Sequence, residues 1–164
     1  MKTFEPGSHF YDRTRWEDLR PQGPHLWRTL GFRRVVWEPG HQVVEWDATE
    51  DYGFVTNTGY IVHGGMITTL LDTAMGGATW TLLNEDESFL TADLRVEFFR
   101  SARPGLLRGE GRVVHRARRV VFCQADLVQD DALCASARCT QILLPAGGSG
   151  GRPLRRRDSG DGSG

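Results

Sequence analysis

One carboxylate, Asp72, stands midway along a segment whose neighbouring positions are apolar or small: Leu70 and Leu71 precede it, and Thr73, Ala74 and Met75 follow it. A buried carboxylate is costly unless it is paired or put to use. Nine residues upstream the same segment opens on His63-Gly64-Gly65. Glycines at the start of a helix present free N–H groups at its positive end, with no side chain to keep a ligand atom away from the backbone. Free donors, no obstruction and a favourable dipole are what polarising a carbonyl oxygen requires. Asn57, six residues before His63, adds an amide that could orient a water or the histidine. Thr91 begins the strand after the helix and can return a hydroxyl beside Asp72. Each has an ordinary reading taken alone: Asp72 as a surface or capping residue, His63 as a helix-entry residue, Asn57 as a turn former, Thr91 as a strand residue. The combination carries more weight than any member.

The element that must carry these groups is the stretch from Gly64 to Leu83. Apolar residues at Met66, Ile67, Leu70, Leu71, Ala74, Met75, Ala78, Leu82 and Leu83 recur at helical spacing around most of the circumference. The spacing predicts a long, largely buried helix, ended by Asn84, Glu85 and Asp86. Thr68 and Gly76 lie one turn either side of Asp72, with Thr69 and Thr79 nearby, so one stripe is small and polar. Gly76-Gly77 costs roughly 1 kcal/mol per glycine against alanine, a penalty that suits close approach of a second helix or a ligand.

Around this helix the chain reads as strands. A helical turn at 25–32 ends at Gly31, and strand-like residues follow from Arg33, with a Pro39-Gly40 turn before Val44, Trp46 and Ala48 alternate with Val43, Glu45 and Asp47. Residues 50–62 read as a loop. Beyond the helix, Ala92, Leu94, Val96 and Phe98 alternate with Asp93, Arg95 and Glu97, and a Pro104-Gly105 turn follows. Runs at 106–115 and 119–129 flank the basic stretch His115–Arg119, and Asp130-Asp131 turns the chain into a last run from Leu133 to Leu144. Two strands before a helix and four after it predict an α+β fold, an antiparallel sheet curled around one buried helix.

The bulk composition removes several function classes. With 164 residues the chain suits one domain with its own core. We divide it into an N-terminal extension at 1–24, a folded domain at 25–145, and a Gly/Arg-rich tail at 146–164 with too few apolar residues to offset its ordering entropy. Twenty basic against twenty-one acidic residues leave no whole-chain field toward nucleic acid or an anionic membrane. No window approaches the ~20 apolar residues of a spanning helix and no signal peptide is evident, so the expected location is cytoplasmic. Cys123, Cys134 and Cys139 lack metal-ligand spacing and read as reduced strand residues. We find no nucleophile elbow, zinc-helix motif or phosphate-binding loop, and expect neither metal nor bound cofactor.

Residues 57–78, NTGYIVHGGMITTLLDTAMGGA, resemble the signature of the PaaI-like acyl-CoA thioesterases of the hotdog superfamily: an Asn, His-Gly-Gly six residues on, then an acidic residue nine after the His. Asn57, His63, Gly64, Gly65 and Asp72 occupy these positions. TADLRVEFFRSARPG and the run from GRVVHRARRVVFCQ to the end of the last strand are similar to the family's strand segments, and the likeness extends over about residues 30 to 144. The resemblance implies a hotdog fold, with a long central helix wrapped by a curved antiparallel β-sheet of five or six strands. It implies a homodimer or homotetramer with two sites at each subunit interface.

In such a site Asp72 would act as general base or nucleophile, the Gly64 N–H would bind the thioester oxygen, and Asn57 and His63 would hold that region or the water. Thr91 would stand near the attacking water, with Asp72 and Thr91 contributed by the opposite subunit. Gly65 would line the substrate, and Arg116, Arg118 and Arg119 would meet the CoA phosphates, although Ala117 replaces the glycine usual in that turn. CoA is then part of the substrate and not a cofactor. A thioester suits this economy, because its thiol leaves readily and one carboxylate with backbone donors can suffice. Trp80, Phe54 and Tyr60 are candidates to line the acyl pocket. The alternative is a non-catalytic hotdog protein that binds acyl-CoA as a sensor or carrier, and an intact Asp72 with Thr91 argues against it. Hotdog hydratases place an Asp shortly before a His, the reverse of the order found here.

Overall fold

The structure is a computed structural model that describes residues 25–84 and 87–145. In chain order the elements are α1 (His25–Leu30), β1 (Arg33–Glu38), β2 (His41–Ala48), a 3-10 turn (Glu50–Tyr52), β3 (Gly53–Thr56), β4 (Gly59–Val62), α2 (Gly64–Trp80), β5 (Glu87–Phe98), β6 (Gly105–Arg116), β7 (Val120–Gln129) and β8 (Ala132–Pro145). Six strands form one sheet in the order β1-β2-β6-β7-β8-β5, every pairing antiparallel, and β3 with β4 makes a separate hairpin. This is the α+β arrangement expected, with six strands in the main sheet.

Strict alternation decides which face of that sheet meets the helix. Val121, Cys123, Ala125 and Leu127 of β7 are buried, while Phe122, Gln124 and Asp126 between them are exposed. On β8 the buried set is Cys134, Ala135, Ala137, Cys139, Gln141 and Leu143, with the register shift opposite Leu127 and Val128 placing both Cys134 and Ala135 inside. Against this face α2 buries Ile67, Leu70, Leu71, Ala74, Met75, Ala78 and Thr79, and it touches all six strands. Leu70, Leu71 and Met75 are fully buried, and each contributes about 1.5–3 kcal/mol. Trp46 anchors the far end of the core edge-on to Phe32 and Tyr52, at 5.6 and 5.3 Å between ring centroids.

Helix and sheet come close enough for backbone to touch side chain. A Cβ on Gly111 would lie 2.3 Å from the Ala74 carbonyl carbon, and one on Gly77 would lie 2.0 Å from the amide oxygen of Gln42. Gln42 is fully buried; its Nε2 donates to the Thr73 carbonyl at 3.0 Å, and its Oε1 accepts from Arg34 Nε at 3.1 Å. The Arg34 guanidinium lies over the rings of Trp27 and Trp37. The space left by Gly77 is thus occupied by a side chain of β2, where the sequence suggested a second helix or a ligand. Gly76 faces Phe89 of β5, 3.4 Å from where its Cβ would be.

Two local readings change. Residues 50–62 are a 3-10 turn followed by the β3–β4 hairpin, whose turn holds Asn57 and Thr58 ahead of Gly59 at φ 109°. The long helix stops at Trp80, earlier than Asn84, because the Thr81 hydroxyl donates to the Ala78 carbonyl at 2.6 Å and accepts the Gly40 N–H at 2.7 Å. That ties the helix end to the β1–β2 turn. Asp130 and Asp131 have φ of 51° and 60°, the paired positive values of a type I′ hairpin turn. The N-terminal extension, the Gly/Arg-rich tail, and Glu85 and Asp86 lie outside the described residues.

Candidate active site

The N-terminus of α2 is capped by its own histidine. His63 has extended backbone (φ −62°, ψ 133°), and its Nδ1 accepts the Gly65 N–H at 2.9 Å, which places the ring proton on Nε2. The His63 carbonyl accepts the Met66 N–H at 2.9 Å, its N–H donates to the Tyr52 carbonyl at 2.9 Å, and the Phe54 ring stands edge-on to the imidazole at 6.2 Å. Of the two glycine donors at the helix entrance, Gly65 is therefore taken. The Gly64 N–H has no acceptor among the described residues. Phe98, at the end of β5, covers Gly64: a Cβ there would lie 3.2 Å from the ring's Cζ. Only glycine leaves this donor room beneath the ring.

Two turns along the helix, the half-buried Asp72 accepts a hydrogen bond through Oδ1 from the Thr91 hydroxyl at 3.1 Å. The return of Thr91 beside Asp72, expected from its position at the start of the strand, is present. The ladder between β5 and β8 shifts register between Thr91 and Asp93, leaving Ala92 as a bulge. This lets Phe89 and Thr91 before the bulge face the helix together with Leu94, Val96 and Phe98 after it.

The neighbouring hydroxyls are already committed. Thr68 donates to the Gly64 carbonyl and Thr69 to the Gly65 carbonyl, both at 2.9 Å, and Thr79 Oγ1 lies 3.2 Å from Cys123 Sγ. The small polar stripe is thus largely satisfied within the helix and its floor, and Asp72 is the group on it that faces outward with Thr91. Below, Cys123 and Cys139 stand opposite each other on β7 and β8, both as free thiols. The hydrogen bond to Cys123, with burial, pushes the Cys139 thiol far above its ordinary range, so it stays protonated beside the carboxylate.

The two candidate groups, the Gly64 N–H and the Asp72 carboxylate, are not together in one chain. Gly64 and Asp72 are eight residues apart on one helix, which at the helical rise is roughly 12 Å. A single thioester-sized group cannot accept from one and be attacked beside the other. Asn57 lies exposed at the tip of the β3–β4 hairpin and makes no hydrogen bond among the described residues, to His63 or otherwise. Phe54 and Tyr60, on the same hairpin, expose much of their rings, whereas Trp80 packs inward against Phe89 at 6.4 Å.

The three arginines divide. Arg116 is held inside the frame, donating to the Leu82 carbonyl after α2 and, at 2.5 Å, to Glu87 at the start of β5. Arg118 and Arg119 are exposed in the β6–β7 turn and have no side-chain partner among the described residues. The turn closes through the Ala117 N–H on the Val120 carbonyl at 2.8 Å. Among the described residues only Asp130 and Asp131 combine a side chain with positive φ, so Ala117 serves where a glycine was expected. No cluster of three or more His, Cys, Asp or Glu among the described residues has the geometry to hold a metal, and no helix among them is long and apolar enough to cross a membrane.

Sequence reasoning missed Phe98 and Gln42. The Phe98-Phe99 pair at a strand end before a Pro-Gly turn was a visible signal, since two consecutive aromatics must face opposite sides. Gln42 gave none, because its role depends on a glycine in another element.

The thioesterase superfamily model matches residues 59–141, from the β3–β4 hairpin to β8. Among solved structures the chain is similar to a phenylacetic acid degradation-related protein of Ralstonia eutropha JMP134 (29% identity, 76% of this chain and 97% of that one, TM-score 0.68). It is also similar to a thioesterase family protein from Silicibacter pomeroyi (24% identity, 79% and 96%, TM-score 0.69). A third is a single-residue mutant of phenylacetic acid degradation protein PaaI from Thermus thermophilus (23% identity, 71% and 96%, TM-score 0.64). With one helix wrapped by a six-stranded antiparallel sheet and more than half its length matched by the family, the chain belongs to the thioesterase superfamily and has the hotdog fold.

Proposed function

We propose that this protein hydrolyses acyl-CoA thioesters to the free acid and CoA, at two equivalent sites built across a homodimer. The observation that carries this reading is the division of α2: an unused backbone donor at Gly64, and a Thr91-supported carboxylate at Asp72 roughly 12 Å further along. A two-fold pairing sets the Gly64 end of one helix against the Asp72 region of the other and completes both sites at once. The family to which the chain belongs supports thioester hydrolysis in general, and the relatives with phenylacetic acid degradation in their names make aromatic acyl groups worth including among the substrates tested.

In the reaction the thioester oxygen accepts from Gly64 N–H, at the positive end of the helix, where negative charge grows as the carbonyl carbon becomes tetrahedral. Asp72 takes the proton of an attacking water or attacks the carbon itself, and Thr91 holds Oδ1 in place. Collapse of the tetrahedral species expels CoA. When water attacks, the thiolate takes back the proton held by Asp72; when Asp72 attacks, the acyl-Asp72 anhydride left behind is hydrolysed by a water whose proton goes to the CoA thiolate. His63 keeps the helix entrance rigid by occupying the Gly65 donor, and Gly65 lines the thioester beside it. Asn57 reaches over this entrance once the hairpin is covered by the acyl-CoA. Arg118 and Arg119, exposed and uncommitted, meet the CoA phosphates as planar donors, while Arg116 fixes the turn that carries them. No cofactor is used, and the chain works in the cytoplasm.

The test is hydrolysis of a panel of short, medium, long and phenylacetyl CoA thioesters, followed by free thiol, with Asp72→Asn beside the wild type. Turnover that falls by about two orders of magnitude or more in Asp72→Asn supports the reading. Binding of acyl-CoA without turnover by a folded oligomer would replace it with a sensor or carrier role.

A further inference from the structure

Two buried side-chain donors find no acceptor among the described residues, Trp46 Nε1 and Gln141 Nε2. A donor left unmet in the interior costs free energy, so each calls for a reason. Trp46 lies against the rings of Phe32 and Tyr52 at the far end of the core. Gln141 lies at the candidate site. It is fully buried on β8, and its opposite number on β5 is Thr91, the residue that donates to Asp72. Resting on the hydrolytic reading above, we infer that Gln141 is a positioning residue. Its Nε2 donates to Thr91 Oγ1 and so holds the Thr91 hydroxyl, and through it Asp72, in the geometry used for attack.

The ladder puts the two side chains together. Directly opposed residues of antiparallel strands project from one face, with Cβ atoms about 4.5–5.5 Å apart. Thr91 and Gln141 both face α2. On its other side Gln141 opposes Val121 of β7, and its Oε1 is turned to that strand, 3.9 Å from Cys123 Sγ. The Nε2 limb of the amide is left for the β5 side.

The needs of the two groups match. A threonine hydroxyl has one proton and two lone pairs. Thr91 gives its proton to Asp72 Oδ1 at 3.1 Å and accepts from no group among the described residues. Gln141 thus has a donor without an acceptor, and Thr91 an acceptor without a donor. Joining them does more than satisfy both. A donor on the hydroxyl oxygen polarises the O–H bond and strengthens its own donation to the carboxylate. It also occupies a lone pair, which stops the hydroxyl from turning its proton away from Asp72. Thr91 is exposed on an edge strand, whereas Gln141 is locked in the core, so the anchor comes from the rigid side.

Gln141→Met keeps the unbranched shape and removes the amide. An amide that only filled the core would leave turnover unchanged on losing an unmet donor. The positioning role predicts a different split: a urea midpoint unchanged or higher, KM unchanged, and kcat lowered about tenfold, the equivalent of one hydrogen bond. In a Thr91→Ala background the same substitution should lower kcat by less than about twofold more, because its path to Asp72 is gone. NMR supplies a readout that needs no turnover. The Gln141 side-chain NH2 signals, assigned through bonds from its backbone, should move upfield in Thr91→Val, which exchanges the hydroxyl for a methyl. A wild type that turns over none of the acyl-CoA panel but shows this shift would overturn the hydrolase reading and leave the chain from Gln141 through Thr91 to Asp72 standing. Neither turnover nor shift would overturn both. In an active protein, three results would each overturn the positioning role alone: full kcat in Gln141→Met or a kcat that falls together with the urea midpoint, losses that multiply with Thr91→Ala, or NH2 signals unmoved by Thr91→Val.

Discussion

Gly77→Ala isolates the buried amide that joins helix and sheet. In an exposed helix the change would gain about 1 kcal/mol of propensity. Here the new Cβ would lie 2.0 Å from Gln42 Oε1 and 2.1 Å from its Cδ and Nε2, well inside any real contact. Gln42 is fully buried between β2 and α2 and cannot swing into solvent. Moving it breaks the bond to the Thr73 carbonyl and the one from Arg34, about 1 kcal/mol each. Forcing extra volume into a packed core adds about 1–3 kcal/mol. The net expectation is a loss of about 2–4 kcal/mol, or a melting temperature lowered by roughly 5–15 °C for a chain of this size. Urea unfolding at fixed protomer concentration is the assay, with Gly76→Ala as the control. A Cβ at Gly76 meets Phe89 at 3.4 Å, an ordinary contact, so that variant should be neutral or slightly more stable. A Gly77→Ala protein as stable as Gly76→Ala would refute the claim that Gln42 occupies the space.

Four further outcomes follow from the same contacts. Thr91→Ala removes the donor to Asp72 Oδ1 and should slow thioester turnover about tenfold, the equivalent of one hydrogen bond, with the dimer unchanged by light scattering. Arg116→Ala leaves the Leu82 carbonyl without its side-chain donor and Glu87 with the Asn84 N–H but no cation, and should cost about 1–3 kcal/mol in urea unfolding. Arg118→Ala with Arg119→Ala should instead leave stability unchanged and raise KM for acyl-CoA, with less effect on a short thioester lacking the nucleotide. Asp131→Gly in the type I′ turn should stabilise by about 0.5–1 kcal/mol, visible as a higher urea midpoint.

Much of the frame is legible in the chain because the forces that set it are local and periodic. The alternation along β7 and β8 and the helical spacing from Met66 to Ala78 encode which faces are apolar, and the Asp-Asp and Pro-Gly turns mark where strands reverse. The helix entrance is legible too, since a histidine followed by two glycines is a local arrangement. What escaped was set by partners distant in sequence. The β3–β4 hairpin carries little apolar alternation, and Glu50–Tyr52 looks like loop because its neighbours, not its own residues, hold it. The helix end depends on Thr81 meeting Gly40, and Gly77 depends on Gln42. Arg116 reads like its exposed neighbours until β5 brings Glu87 to it. The candidate site is half legible: spacing singles out Asp72 and Gly64 as candidates, while helical rise alone places them too far apart to meet one thioester within one chain.

The central claim is that Asp72 of one copy acts on a thioester held by Gly64 of the other. Gly64 is the first residue of α2, where proline is tolerated because that N–H has no intrahelical partner, so Gly64→Pro removes the donor and keeps the helix, while its ring displaces the exposed Phe98 side chain that covers this position. Asp72→Asn and Gly64→Pro dimers should each be nearly inactive. Unfolded together in equal amounts and refolded, they should form mixed dimers in which one site combines an intact Asp72 with an intact Gly64. Random assortment then restores roughly one quarter of the wild-type rate. A mixture no more active than its parents, in protein shown to have exchanged subunits, would contradict the account and place both halves of the chemistry within a single chain.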